Sequence, residues 1–92
     1  MTLTVKADFT VVNALGLHAR AAAQLVKLAN RFPCEVFIVK DGQEVNGKSI
    51  MGVLMLAATQ GSAVSVRAEG ADAEAAVKAI GELFKAGFGE GA

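Results

Sequence analysis

Residues Leu3 to Val11 alternate strictly. Leu3, Val5, Ala7, Phe9 and Val11 are apolar, and Thr4, Lys6, Asp8 and Thr10 between them are polar. A period of two sends one set of side chains to each face of a strand. The segment therefore demands a sheet with one apolar and one wet face. Val64, Val66 and Ala68, alternating with Ser65, Arg67 and Glu69, repeat that demand. An apolar sheet face must be covered, and each covering helix needs one apolar stripe.

The rest of the chain supplies those helices. A first helix is expected from about His18 to Asn30, with Ala22, Leu25, Val26 and Ala29 as its buried stripe. Arg20, Gln24, Lys27 and Arg31 share the opposite face, an ordinary solvated face or a basic ridge leading from His18. Phe32-Pro33 breaks the helix. Glu35 to Lys40 is apolar enough for a central strand, Asp41-Gly42 is a turn signal, and Gln43 to Asn46 reads as a short edge strand. Ser49 is placed to cap a second helix over Ile50 to Ala58. Val53, Leu56 and Ala57 are expected to face the sheet. Ile50, Met51, Leu54 and Ala58 then form a second, partly exposed stripe suited to a partner, the plainer alternative being that a neighbouring loop covers it. Asp72 and Glu74 open a third helix, whose stripe is Ala73, Ala76, Val77, Ile80, Leu83 and Phe84. Gly87, Gly89 and Gly91 make the end from about residue 87 a loose tail.

The order is strand, helix, strand, strand, helix, strand, helix. It implies an α+β, two-layer sandwich with one open sheet face. A chain of 92 residues makes one domain, residues 1–92.

Nine basic and nine acidic side chains cancel, and no basic run exists, so bulk charge does not attract nucleic acid. Base-stacking sheets also need exposed aromatics, and the strands offer few. Cys34, the single cysteine, excludes an internal disulfide and reads as a small buried side chain. Met1 to Lys6 lack a signal-peptide core, and no run reaches the roughly 20 apolar residues of a membrane span. The protein is expected in the cytoplasm, monomeric, away from nucleic acid and membrane.

The chemistry concentrates in Gly16-Leu17-His18-Ala19-Arg20-Ala21-Ala22-Ala23, which holds the one histidine. His18 falls where a loop becomes a helix. The first N–H groups of a helix lack internal partners and carry partial positive charge, so that end accepts an anion. Arg20 adds a fork that fits phosphate oxygens. The set suits a phosphoryl group carried on His18; a lone surface histidine at a helix start is the plainer alternative.

Gly42 to Ser49 also matches the nucleotide-binding pattern of glycine, four residues, glycine, lysine and serine. Gln43 to Asn46 read as a hairpin strand rather than a phosphate-cradling loop. No later strand ends in a magnesium-binding aspartate, and the chain is short for a parallel sheet with long crossovers.

Two stretches together resemble a known family. Gly16-Leu17-His18-Ala19-Arg20 is similar to the active-site motif of the histidine-containing phosphocarrier (HPr) family of the phosphotransferase system. Lys48-Ser49-Ile50-Met51-Gly52-Val53 resembles that family's regulatory serine motif. The resemblance implies a four-stranded antiparallel sheet covered on one face by three helices, in the order βαββαβα. It implies that His18 accepts a phosphoryl group from enzyme I, passes it to a histidine of a IIA component, and is helped by Arg20. Ser49 corresponds to the serine phosphorylated, in some lineages, by HPr kinase/phosphorylase. Leu17, Ala23, Gln24, Lys27, Lys48, Ile50, Met51 and Leu54 are the expected partner surface. No cofactor or metal is implied, and the protein is a carrier acted on by its partners rather than an enzyme acting alone.

Ala21 stands where the family usually has proline, which keeps the helix and restores a donor near the site. Leu83 to Phe88 looks like the nitrogen-related (NPr) branch, and the Ser49 motif looks like the sugar branch. A regulatory binding module without chemistry at His18 is a further alternative, opposed by the presence of both His18 and Arg20.

Overall fold

The computed structural model describes residues 3–90. Four strands, β1 (Thr4–Thr10), β2 (Glu35–Lys40), β3 (Gln43–Asn46) and β4 (Ala63–Glu69), form one antiparallel sheet in the order β1-β4-β2-β3. Three helices, α1 (Ala19–Ala29), α2 (Ile50–Met55) and α3 (Ala73–Lys85), complete the expected βαββαβα order.

Register explains why one sheet face is dry. β1 sets Val5 opposite Ala68, Ala7 opposite Val66 and Phe9 opposite Val64. β2 sets Val36 and Ile38 opposite the same Ala68 and Val66. The inward set therefore lies in rows across three strands, and slipping by one residue would turn each row to solvent. On the open face Arg67 lies 4.3 Å from the Phe37 ring centre, an arrangement that shields part of that ring. Asp41 and Gly42 both take positive φ (50° and 81°), as a two-residue hairpin turn requires. This hairpin, with Gln43–Asn46 paired to β2, leaves no nucleotide-cradling loop.

The α1 stripe of Ala22, Leu25, Val26 and Ala29 is buried as expected, and Cys34 lies in the same core. α3 buries Ala73, Ala76, Val77, Ile80 and Phe84, while Leu83 is half-buried. Phe84 stacks on Phe9, with ring centres 5.8 Å apart.

Two expectations need correction. The second helix stops at Met55 rather than Ala58, because Ala57 takes φ 49° and ends the helical path. Ala57 consequently points to solvent, and Ala58, expected on the exposed stripe, is buried. The tail is also not loose through Glu90. Gly87, Phe88 and Gly89, at φ 61°, 57° and 75°, form a tight 3-10 turn after α3. Phe88 is buried, edge-on to Phe84 at 5.2 Å, and this apolar anchor outweighs the freedom of the two glycines. Gly91, the third glycine of that expectation, lies outside the described residues.

Candidate functional site

The loop before α1 is fastened to the segment after α2. The Leu17 amide donates to the Ala58 carbonyl (2.9 Å), and the Gly16 amide to the Asn13 carbonyl (3.1 Å). Gly16 has φ +65°, and a Cβ there would collide with the Ala58 backbone, so only glycine fits. Leu17 is buried, which corrects its assignment to the partner surface: it anchors the loop in the core. The next residue, His18, is therefore delivered to the helix end with little freedom.

His18 is the N-cap of α1 rather than its first residue, with extended backbone (φ −75°, ψ −179°). Its carbonyl accepts from the Ala22 amide (2.8 Å). The amides of Ala19, Arg20 and Ala21 precede that first turn and have no intrahelical acceptor. One of them, the Arg20 amide, donates to His18 Nδ1 (3.3 Å). Nδ1 thus faces the electropositive end of α1, where an anion is best placed. The Arg20 side chain is exposed, and no ion pair among the described residues engages it.

The other ring nitrogen has a partner that sequence reasoning missed. His18 Nε2 hydrogen-bonds to Glu90 Oε2. Glu90 Oε1 accepts from Asn13 Nδ2 (3.1 Å), which also serves the Gly16 carbonyl (2.8 Å). Gln24 Nε2 donates to the Phe88 carbonyl (3.1 Å) and ties the turn to α1. The hydrogen bond from His18 first, and that from Asn13 next, hold the Glu90 carboxyl below its ordinary 4.5. Partial burial opposes them, while the charge of Arg20 adds to them. Asn13 is buried with its Oδ1 unpartnered in the protein. Turning the amide over would aim that oxygen at two acceptors, so the orientation holds despite the orphan. The signal for this site was Gly87-Phe88-Gly89: an aromatic between two residues able to turn sharply.

The remaining candidates divide. Ala23 and Lys27 are exposed on α1. Gln24 is committed to the tail, and Lys48 Nζ to the Phe32 carbonyl (2.7 Å), so neither is a wholly free surface group. Ser49 caps α2 as expected, its Oγ accepting from the Gly52 amide (3.1 Å). Ile50 and Met51 are exposed, at 43% and 71%. Leu54, expected on the same partly exposed stripe, is half-buried against the core, and Met55, at 66%, is the more exposed neighbour. Among the described residues no group of three or more His, Cys, Asp or Glu side chains gathers to hold a metal ion, and no helix is long and apolar enough to cross a membrane.

Solved structures similar to this chain include HPr phosphocarrier proteins. HPr-C-His from Thermoanaerobacter tengcongensis superposes with a TM-score of 0.92 at 41% identity, covering 96% of this chain and 99% of that one. An HPr dimer from the same organism gives 0.76 at 47% identity, covering 82% of this chain and 86% of that one. The phosphocarrier protein HPr of Xylella fastidiosa is 48% identical over 90% of this chain and 93% of its own. Residues 5–86 match the family described as "PTS HPr component phosphorylation site". The chain belongs to the HPr family of phosphocarrier proteins of the phosphotransferase system.

Proposed function

We propose that His18 carries the phosphoryl group on Nδ1, taking it from enzyme I and passing it to a IIA component. One observation carries the reading: Nδ1 faces the free amides at the start of α1, with the Arg20 amide 3.3 Å away. On phosphorylation that amide exchanges the ring nitrogen for a phosphoryl oxygen. The Ala19 and Ala21 amides and the exposed Arg20 guanidinium are further donors within the same turn. These contacts stabilise the phosphorylated form moderately, as a carrier requires, and the partners supply the rest by positioning and electrostatics. Ala23 and Lys27 on α1 and Ile50, Met51 and Met55 on α2 form the docking surface around it.

Ser49 is the regulatory site of this reading. Its hydroxyl stands at the start of α2, beside Ile50 and Met51. A phosphate there suits the helix end but puts charge on the apolar docking patch.

Incubation with enzyme I and phosphoenolpyruvate tests the carrier role. An acid-labile, base-stable adduct is expected on His18 and absent from His18→Ala. Arg20→Ala should slow transfer while the fold stays intact, because the side chain is exposed. Equal labelling of His18→Ala and wild type would refute the assignment.

A further inference from the structure

The two nitrogens of His18 face opposite kinds of neighbour. The Arg20 amide can only donate, so Nδ1 is a lone-pair acceptor. Ionised Glu90 can only accept, so Nε2 carries the proton. Two contacts from unrelated parts of the chain thus fix the same tautomer. The carboxylate is itself held in place. Asn13 Nδ2 grips its second oxygen, the buried Phe88 fixes the turn behind it, and Gln24 ties that turn to α1. The Glu90 side chain is 15% exposed and that of His18 28%, so the contact is partly shielded from water.

We propose that Glu90 is a positioning residue for phosphoryl transfer, holding the His18 ring with its proton on Nε2 and its Nδ1 lone pair directed at the donor. The proposal rests on His18 being the phosphoryl acceptor. In the forward step the Nδ1 lone pair forms the N–P bond. The bond from phosphorus to the phosphorylated donor protein breaks, and its electron pair leaves with the donor. The Nε2 proton stays, so the phosphorylated ring is cationic and Glu90 lies opposite that charge. On donation the N–P pair returns to Nδ1, and the ring departs as neutral imidazole. A ring that had lost the Nε2 proton would have to leave as imidazolate, a far poorer leaving group. A carboxylate plays the same part toward imidazole in hydrolytic triads, orienting the ring and stabilising its cation.

His18 is the one histidine, so its ring signals in a 15N-labelled sample are unambiguous. With the ring neutral, wild type should show an exchange-protected Nε2–H proton and the nitrogen shifts of a single tautomer. Glu90→Ala should lose that protected proton. Glu90→Gln, whose amide oxygen still accepts, should keep it. Single-turnover transfer from phosphorylated enzyme I, and then to a IIA component, is measured on the same samples. Glu90→Ala should slow both steps by on the order of tenfold. Glu90→Gln should recover acceptance but not donation, where the charge matters. If wild type is labelled on His18 and Glu90→Ala keeps both the Nε2–H signal and the wild-type rates, the positioning role is overturned. If wild type is not labelled at all, the carrier reading falls, and the positioning role with it.

Discussion

Glu90 and His18 stand 72 positions apart in the chain and meet side chain to side chain, Oε2 to Nε2. The Glu90 carboxyl lies below its ordinary 4.5 because His18, and after it Asn13, hydrogen-bonds its ionised form. A depressed folded-state pKa contributes stability that is fully present above the unfolded value and lost as pH falls through the folded one. The tail from Gly87 to Glu90 should therefore loosen in acid below 4.5, before the core opens. Amide exchange at Phe88 and Gly89 measures this. Glu90→Gln, which does not titrate, should show no such acid transition. A wild-type tail that stays protected until the core itself unfolds would contradict the linkage.

Gly16→Ala should destabilise the protein by about 1–3 kcal/mol through the left-handed backbone alone. The collision with the Ala58 backbone adds to that, since neither segment can move without releasing Leu17 from the core. A thermal melt at least about 4 °C lower is the expected minimum for a domain of this size. A melt unchanged from wild type would mean that the loop before His18 is freer than its contacts indicate.

Ser49→Ala removes the side-chain cap from α2 and should cost about 1 kcal/mol. Ser49→Asp should melt close to wild type, because aspartate also caps and its charge suits a helix start. It should nevertheless slow transfer from enzyme I by on the order of tenfold, since the charge must be desolvated beside Ile50 and Met51. Melts and transfer rates on the same samples separate the two effects. Normal transfer by Ser49→Asp would leave Ser49 a cap and nothing more.

Gly81 lies inside α3, where alanine ordinarily gains about 1 kcal/mol of helix propensity. Here a Cβ would approach Phe9 ring carbons to 2.5 Å, and that ring is already stacked on Phe84. Overpacking costs about 1–3 kcal/mol, so the clash should win. Gly81→Ala should be less stable than wild type in denaturant titration, and a stabilised variant would show that Phe9 can tilt away freely.

The sequence by itself determined much of what local periodicity and local caps govern. Alternation in β1 and β4 assigned their inward residues, the 3.6-residue stripe assigned the buried side of α1, and Ser49 announced the start of α2. His18 at a helix start was legible for the same reason: loop glycine, then helix formers. The stop of α2 was not, because it depends on Ala57 adopting a left-handed conformation that alanine does not advertise. Leu17 was placed on the surface because residues near a motif look alike in sequence; its burial, and the half-burial of Leu54, follow from how the loop and α2 seat on the core. Glu90 was the least legible of all. Gly87-Phe88-Gly89 signals a turn but nothing local aims the carboxylate after it, and its contact with His18 exists because the segment after α3 comes back to the start of α1. There Phe88 finds an apolar socket that is built only when the sheet and helices have already assembled. Short-range stereochemistry is written residue by residue, whereas a contact across most of the chain is decided by packing, which is why the histidine could be read and its carboxylate could not.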